Sequence, residues 1–423
     1  MLDEELRNGT SPAGAAAPGP AGSNAPRYRL LYLCDWLPPD FGAVGQYSLL
    51  FARQRAEGGE DVVLAGLSSA ADSMIEEEAG GGGRLRVVRC RAAAYDRSDL
   101  RARAWWTART NLGLLWRVRR FLLAADEVLI TGSPPFLLHC VLPLAALLRK
   151  QLTYRITDFH PECLMAEIRE RGETSARGRM PWSLRAFYRL TLALRRRVDR
   201  FEVLGEDQRQ RLLAQGIPAG RIVLKRDPSP VEIPASTVPL NRPPELAGRC
   251  LLLYSGNLGV AHDYQTFIAG YRLHHRQGSG RVGLWLNATG ARADRFEQEL
   301  HAEGLPVHRS RPLPLAELPR LLAAADAHLI TLRDAFVGYV LPSKVYGCLA
   351  SGRDVLYVGS RRSDVHLLCS QALPVGYVQV EVGDADGVAR ALEGIADRAR
   401  AAVAASARES GIGTADGTPA AAW

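Results

Sequence analysis

Three polar residues with the chemistry of a reactive site follow one predicted strand. Asp158, His160 and Glu162 come directly after the apolar segment Leu152 to Thr157, where open α/β sheets place their ligands. A carboxylate or an imidazole at such a point can orient a hydroxyl group or assist a proton transfer. The alternative is structural, with Asp158 capping the next segment and His160 packing on it. We predict Asp158 and His160 as catalytic residues, with Glu162 as a weaker third candidate.

A loop that contains glycine follows the first predicted strand. The apolar residues Leu30 to Cys34 lead into this loop, which includes Gly42 and Gly45, and then into a helix. Glycine permits close approach of a ligand to the backbone, and the free amides at the start of a helix attract phosphate. An ordinary βα turn is the alternative, because glycine loops are weak signals. No GxGxxG motif occurs in the loop, which disfavours a dinucleotide cofactor.

Two stretches combine arginine with aromatic residues at helical spacing. They run from Arg101 to Arg120 and from Arg179 to Arg200, and their tryptophans are Trp105, Trp106, Trp116 and Trp182. This pattern fits a helix lying on an anionic membrane with its rings at headgroup depth. It fits equally well a solvated helix face whose aromatic side chains point into the core. The sequence leaves both interpretations open.

The framework that positions these residues is an alternation of short apolar runs and amphipathic stretches. Such alternation predicts βα units around parallel sheets. Strands are predicted at residues 29–34, 61–66, 85–90, 127–132, 152–157, 200–205 and 222–225, and again at 250–255, 282–287, 307–309, 327–332 and 354–359. Between the two series lie six prolines, from Pro228 to Pro244, where neither a helix nor a central strand can persist.

The predicted fold is therefore α/β, with two Rossmann-like domains that face each other across a cleft. The N-terminal domain is expected over 27–232, a linker over 233–249 and the C-terminal domain over 250–384. A C-terminal helix is expected over 385–408. Residues 1–26 and 409–423 are expected to be disordered tails, because small and polar residues dominate them.

Composition narrows the class of protein. The chain has 423 residues, 47% of them hydrophobic and 23% charged, and a formal charge of +8 that suits an anionic partner. Its seven cysteines include no CxxC pair, which argues against a disulfide framework and a structural zinc site and favours a cytoplasmic location. The longest apolar run, Phe136 to Leu148, has 13 residues, fewer than the roughly 20 that span a bilayer.

Several motifs, in this order, resemble those of a known enzyme family. Ile130 to Pro135, Asp158 to Glu162, Gly216 to Pro218, Tyr254 to His262 and Leu341 to Gly352 resemble segments of the retaining glycosyltransferases with the GT-B fold. The similarity is to the family 4 type, especially the members that assemble capsule, O-antigen and exopolysaccharide, and it covers roughly residues 28 to 400. The resemblance implies that the N-terminal domain binds the acceptor and the C-terminal domain binds a nucleotide sugar.

The donor site that the resemblance implies departs from the family at its charged positions. The family's arginine and lysine, which hold the donor diphosphate, are matched by Asn257 and His262. Asparagine offers only neutral donors, and histidine is charged only when its pKa is raised. The positions of the family's two glutamates fall at Gly347 and near Gly338 to Tyr339, so neither is acidic here.

Other residues must then replace these functions. The missing positive charge could come from Lys344, from Arg333, or from Lys225 and Arg226. The ribose could be held by backbone groups or by Ser343, at the start of a predicted helix whose amino end faces the donor phosphates. The predicted donor-binding residues are Gly42, Gly45, Asn257, His262, Gly290, Ser343, Lys344 and Gly347.

The leading hypothesis is transfer of a sugar, a hexose, deoxyhexose or N-acetylhexosamine, from a nucleotide-diphosphate sugar to a lipid-linked or glycan acceptor. By the resemblance it needs no metal and no cofactor and serves polysaccharide or glycoconjugate biosynthesis. The basic stretches with their tryptophans place it in the cytoplasm, as a peripheral protein on the inner face of the plasma membrane. The alternatives are a nucleotide-sugar epimerase and a non-catalytic relative that binds a partner or a glycan. Nucleic-acid binding is disfavoured, because no nucleic-acid module is recognisable.

Overall fold

A computed structural model of the chain describes residues 28–40, 42–93, 100–170, 180–289 and 291–409. The predicted tail 1–26 lies outside these ranges, and so does the predicted tail 409–423 apart from its first residue. Gly290, one of the predicted donor-binding residues, also lies outside them.

The N-terminal half forms a sheet of eight strands within the described ranges. Its order is β3-β4-β2-β1-β5-β6-β7-β8, and all neighbours are parallel except β3 and β4. The strands are Tyr28–Trp36 (β1), Val62–Ser68 (β2), Ser73–Glu78 (β3), Arg84–Arg91 (β4), Ala125–Thr131 (β5), Gln151–Ile156 (β6), Arg200–Val203 (β7) and Ile222–Leu224 (β8). The helices are Ala43–Glu57 (α1), Leu100–Ala124 (α2), Leu137–Leu147 (α3), Glu162–Glu170 (α4), Trp182–Arg195 (α5) and Glu206–Ala214 (α6).

Both faces of this sheet are buried, as expected for parallel strands between helices. In β1, Leu31 and Leu33 belong to one core cluster, and Leu30 and Tyr32 belong to another on the opposite face. Side chains of a strand alternate between its two faces, so one apolar run supplies both cores. Each fully buried leucine contributes about 1.5–3 kcal/mol relative to an exposed one.

The C-terminal half repeats the architecture with six parallel strands in its described part. Their order is β11-β10-β9-β12-β13-β14. The strands are Cys250–Asn257 (β9), Val282–Thr289 (β10), Val307–Ser310 (β11), Ala327–Thr331 (β12), Asp354–Val358 (β13) and Tyr377–Val380 (β14). The helices are Gln265–Gln277 (α7), Ala291–Ala302 (α8), Leu318–Ala324 (α9), Lys344–Ala350 (α10), Asp364–Ala372 (α11) and Ala385–Glu409 (α12). The predicted fold class, two Rossmann-like domains, is confirmed.

Four elements were absent from the sequence prediction. The strand β3 is an edge strand with its residues mostly exposed, so it lacks the apolar alternation that marks a half-buried strand. The helix α4 follows a proline, and α11 and β14 are short; none of the three has a strong periodic signal. The sequence pattern also predicts one continuous helix over 315–325; the structure has a 3-10 turn there, followed by the seven-residue helix α9.

Each sheet has one point at which the strand order reverses. In the N-terminal sheet this point lies between β1 and β5, and in the C-terminal sheet between β9 and β12. Helices diverge from such a point and leave a crevice at the carboxyl ends of the strands, where open α/β sheets bind ligands. The candidate site is therefore expected at these two crevices.

Candidate active site

The carboxyl edges of the two sheets meet at the domain interface. The segment after β6 pairs with a C-terminal segment: Asp158 and Val340 form an isolated antiparallel bridge, and the Phe159 amide donates to the Tyr339 carbonyl at 3.0 Å. The residues after β6 and those just before α10 therefore lie together. The arrangement encloses the space between the two domains on this side.

Lys344, the first residue of α10, supplies a shielded cation on the C-terminal side. Its ammonium nitrogen lies 3.2 Å from the centre of the Tyr254 ring and is shielded from solvent. Among the described residues it has no hydrogen-bond partner. Burial lowers the pKa of Lys344 to about 7. Such a group gains stability when an anion reaches it.

Gly256 makes room for this lysine at the end of β9. Its φ of +125° is rarely adopted by other residues, and a Cβ on it would lie 3.7 Å from the Lys344 nitrogen. The backbone after β9 and the ammonium group of Lys344 are therefore close neighbours. A phosphate placed between them could meet both the charge and the backbone amides.

His262 does not supply the positive charge that the family's lysine would bring. It is buried, and its Nδ1 lies 2.7 Å from the Thr331 carbonyl. Burial, followed by the charge of Lys344, lowers the pKa of His262 to about 3, so the ring is neutral at pH 7. Arg292 and Arg333 also lower the pKa of His262. Three cations thus surround the loop that follows β9.

The other candidate cations are held by carboxylates. Arg333 donates to Glu170 at 2.7 Å, and Lys225 lies 3.3 Å from Glu202. Arg226 reaches Asp364 across the domain interface at 3.0 Å. Among the residues proposed to supply charge to the donor, Lys344 alone has no ion pair within the described part of the chain. It is the cation best placed to accept a new anionic partner.

The remaining predicted donor residues differ in their surroundings. Asn257 ends β9 and is exposed, and Ser343 precedes α10 and is partly buried. Gly347 is buried in α10, where a Cβ would lie 3.2 Å from Leu322, so its absence of a side chain serves helix packing. Because α10 has only seven residues, the predicted phosphate site depends more on the side chain of Lys344 than on the dipole of this helix.

Gly42 and Gly45 lie where β1 gives way to α1. Gly42 precedes the helix in an extended conformation. A Cβ on Gly45 would collide with the Trp36 carbonyl, so only glycine lets α1 start so close to the end of β1. Glycine is thus required at this position for packing. The close packing also places the start of α1, a helix of 15 residues, at the crevice between β1 and β5.

Asp158 and Asp35 form a pair of carboxylates on the N-terminal side. Asp35 lies near the end of β1, and its Oδ2 accepts a hydrogen bond of 2.6 Å from Ser133, which follows the neighbouring strand β5. Burial raises the pKa of Asp158 to about 6, and the negative charge of Asp35 adds to this effect. Gly132, just before Ser133, lets the backbone of Asp158 approach the end of β5, because a Cβ on Gly132 would lie 2.6 Å from the Asp158 carbonyl oxygen.

His160 and Glu162 sit deeper in the N-terminal domain. The His160 ring is partly buried, with its centre 6.1 Å from that of Phe136. The buried carboxylate of Glu162 pairs with Arg195, which also donates to the His160 carbonyl at 2.9 Å. Glu162 therefore stabilises the segment rather than facing the cleft. His160 is held beside the crevice by this same guanidinium.

Sequence reasoning missed Asp35 and Arg292 as site residues. Asp35 lies near the carboxyl end of β1, at the same edge of the sheet as Asp158, which follows β6 two strands away. Arg292 is the second residue of α8, the helix that follows β10. Both could have been found from their place at the carboxyl end of a strand, which the sequence pattern does indicate.

Three of the four tryptophans in the two basic stretches point outward, whereas Trp106 is partly buried and stacks on Trp36. Trp105 and Trp116 of α2 are 72% and 70% exposed, and Trp182 of α5 is 77% exposed. The helix α3 contacts both α2 and α5, and its last residue, Leu147, is also exposed. Exposed arginines accompany them: Arg109, Arg117, Arg119, Arg120, Arg185, Arg189, Arg196 and Arg197. We call this surface of α2, α3 and α5 the basic-aromatic surface.

No helix in the described ranges combines the length and the apolar character needed to cross a membrane.

Comparison with known proteins finds glycosyltransferases both by sequence and by fold. Residues 42–226 match the glycosyl transferase 4-like domain. A probable glycosyltransferase of Pseudomonas aeruginosa, WbjE, is 23% identical over 249 residues, which are 56% of this chain and 59% of WbjE. The match thus spans about three fifths of that relative's length.

Several solved glycosyltransferase structures share the fold along almost the whole chain. HepE of Anabaena, in complex with UDP and glucose, is 12% identical, with a TM-score of 0.55, and covers 90% of this chain and 95% of its own. Sucrose-phosphate synthase of Thermosynechococcus elongatus is 13% identical with a TM-score of 0.59, covering 88% and 91%. WaaG, a glycosyltransferase involved in lipopolysaccharide biosynthesis, is 14% identical with a TM-score of 0.53, covering 90% and 94%.

Proposed function

We propose that this chain, which belongs to the GT-B glycosyltransferases of the family 4 type, transfers a hexose-type sugar from a nucleotide-diphosphate sugar to a lipid-linked or glycan acceptor. The observation that carries the proposal is the shielded ammonium group of Lys344 at the end of β9, facing the segment that bears Asp158 across the domain interface. Lys344, which has no hydrogen-bond partner among the described residues, suits the departing phosphate, and Asp158, with its raised pKa, suits the acceptor hydroxyl.

On the donor side, the charges support a diphosphate. The charges of Lys344, Arg292 and Arg333 all act on His262 in the loop after β9, and a nucleotide diphosphate would bring negative charge to these cations. Cations fixed at a departing phosphate stabilise the charge that develops there, by several kcal/mol. The donor class is also supported by the related fold of HepE, which has been solved with UDP-glucose. In the proposed complex Asn257 and Ser343 add neutral hydrogen bonds.

On the acceptor side, Asp158, His160 and Asp35 provide the polar groups. In the proposed step the bond between the sugar C1 and the phosphate oxygen breaks, and C1 bonds to the acceptor hydroxyl oxygen. The acceptor proton leaves to the Asp158 carboxylate or to the departing phosphate, which keeps the bonding electrons. We propose retention of configuration from the family alone.

The proposals for the acceptor class and for the cellular location are based on the basic-aromatic surface. Exposed indoles among arginines suit the headgroup region of an anionic membrane, where the rings insert and the cations pair with lipid phosphates. We therefore propose that the N-terminal domain binds the inner face of the plasma membrane from the cytoplasm and receives a lipid-linked acceptor there. Polysaccharide or glycoconjugate biosynthesis is the pathway class, in line with the involvement of WaaG in lipopolysaccharide biosynthesis.

The proposal is tested by product analysis with a panel of nucleotide sugars and lipid-linked acceptors, with and without a chelator. We expect transfer to an acceptor, unaffected by the chelator. Asp158→Asn and His160→Ala should each lower kcat on the order of 10² to 10⁴ fold with little change in donor affinity. Because the pKa of Asp158 is about 6, wild-type kcat should decrease as the pH is lowered below 6 and Asp158 takes up a proton. The kcat of Asp158→Asn should not show this decrease.

The matched control is thermal unfolding of each variant, which should change little because polar groups at a cleft are seldom packed as a core is. Full turnover by both variants would overturn the catalytic assignment. Conversion of a nucleotide sugar without acceptor would favour an epimerase. A wild-type protein that binds no nucleotide sugar would favour the non-catalytic relative.

A further inference from the structure

One short segment of the C-terminal domain lies against the N-terminal domain beside Asp158. This strap, Phe336 to Leu341, precedes α10. Its Tyr339 carbonyl accepts the Phe159 amide at 3.0 Å, and Val340 bridges Asp158. The strap therefore fixes the backbone on both sides of the Asp158 carboxyl group.

Arg211, on α6 of the N-terminal domain, holds the strap in place. Its guanidinium donates to the Val337 carbonyl at 2.8 Å and lies 4.4 Å from the centre of the Tyr339 ring. A cation above an aromatic face is attracted to it, more strongly where water is excluded. Within the described residues Arg211 has no carboxylate in ion-pair range, so the strap is its main partner.

Gly338 explains why the strap can approach so closely. It has a φ of +75°, and a Cβ there would lie 3.0 Å from the Arg211 side chain and from the Asp207 carbonyl. Any other residue would be strained and would push the strap away from α6. The turn at Gly338 thus places the Val337 carbonyl and the Tyr339 ring on the same guanidinium.

We propose that Arg211 is a positioning residue: by holding the strap against Phe159, it keeps the Asp158 carboxyl group enclosed and oriented between the domains. The inference rests on the proposed function for the role of Asp158, but the contact itself does not. When Arg211 is removed, the strap loses its contact with α6, and the Asp158 carboxyl group becomes more exposed to solvent and more mobile.

Amide hydrogen exchange tests the contact without any assay of activity. In Arg211→Ala the Phe159 amide should exchange at least about tenfold faster than in the wild type, because a charge-assisted hydrogen bond and a cation-π contact are lost. Arg211→Lys should restore most of the protection, since an ammonium group can reach the same carbonyl and ring. Arg209→Ala is the matched control, because Arg209 lies on the same helix but pairs with Glu206.

Kinetics test the positioning role. We expect Arg211→Ala to lower kcat about 10-fold to 100-fold, as misplaced reacting groups do, with donor KM within about twofold and recovery in Arg211→Lys. Unchanged exchange at Phe159, or equal effects in Arg209→Ala, would overturn the contact. A rise in donor KM that matches the fall in kcat would overturn the positioning role. Absence of transfer by the wild type would overturn the proposed function instead, with the exchange result still deciding the contact.

Discussion

At the scale of single residues, the donor side depends on the protonation state of Lys344. Its pKa of about 7 lies below the usual lysine value, because burial disfavours the charged form. Without a ligand the group is therefore partly neutral at physiological pH and loses its proton above it. A bound diphosphate favours the ammonium form and raises the pKa of Lys344, so binding takes up a proton.

This linkage predicts that donor affinity weakens as pH rises from about 7 toward the pKa of an ordinary lysine. Lys344→Met should bind the donor about 10-fold to 100-fold more weakly at pH 7, the equivalent of a lost charge-assisted hydrogen bond. The pH dependence should also become flatter in this variant. Titration calorimetry in buffers of different ionisation enthalpy measures both the affinity and the proton uptake.

Stability supplies the control for this prediction. Between pH 7 and the ordinary lysine pKa the unfolded chain binds more protons than the folded one, so wild-type stability rises with pH through this range. Lys344→Met lacks this slope and should be at least as stable at pH 7. Lys150→Met removes a partly buried cation of the other domain, which donates to the Leu123 and Ala125 carbonyls, and should leave donor binding unchanged. Equal affinity of Lys344→Met and wild type would remove Lys344 from the donor site.

At the scale of elements, the basic-aromatic surface is what the helices α2 and α5 present to solvent. The buried side of α2 packs on the N-terminal core through Leu114, Val118 and Leu122, which leaves Trp105 and Trp116 outside. Arg119 stacks on the Trp116 ring at 4.1 Å. Exposed indoles are costly in water and favourable at a membrane interface.

We predict that Trp105→Ser, Trp116→Ser and Trp182→Ser combined weaken binding to anionic vesicles at least about tenfold, because three interfacial anchors are lost. Binding should also fall as salt rises, because screening weakens the attraction of the arginines. Vesicle co-sedimentation measures both effects. Val375→Ser is the control, since Val375 is 79% exposed on the C-terminal domain. Equal binding of the wild type to neutral and anionic vesicles at low salt would contradict the prediction.

The sequence predicts elements best where burial imposes a period. The strands β1, β2, β9 and β13 carry continuous apolar runs, and their predicted limits lie close to the observed ones. Exposed or short elements such as β3 and α11 were not predicted, because they bury too little apolar surface to leave a pattern. The direction of the tryptophans in α2 depends on which face packs on the sheet, and spacing alone left it open.

The candidate site was likewise only partly predictable, because some of its features follow from the local sequence and others depend on tertiary contacts. The positions of Asp158 and Lys344 follow from a strand end and from a motif, both of which are local. The neutrality of His262 and the shielding of Lys344 depend on neighbours far apart in sequence, such as Thr331 and Tyr254. The strap contact with Phe159 joins two domains, and a single sequence gives no signal for it.

At the scale of the whole molecule, reciprocal contacts join the two domains beside the cleft. The Glu206 amide donates to Asp364 at 3.0 Å, and the Asp364 amide donates to Asp207 at 3.1 Å. Arg226 adds three hydrogen bonds to Asp364. These bonds bring the starts of α6 and α11 together, so the carboxyl edges of both sheets stay opposed while leaving Lys344 on one side and Asp158 on the other.

The central claim is that this cleft binds a nucleotide-diphosphate sugar through Lys344. The most direct measurement is thermal unfolding of the whole chain with uridine, guanosine and thymidine diphosphate sugars, in the wild type and in Lys344→Met. We predict that at least one donor stabilises the wild type, by roughly 2.7 kcal/mol at 100 times its Kd, and stabilises Lys344→Met much less at the same concentration. No stabilisation of the wild type by any of these nucleotide sugars, or equal stabilisation of both proteins, would contradict the claim.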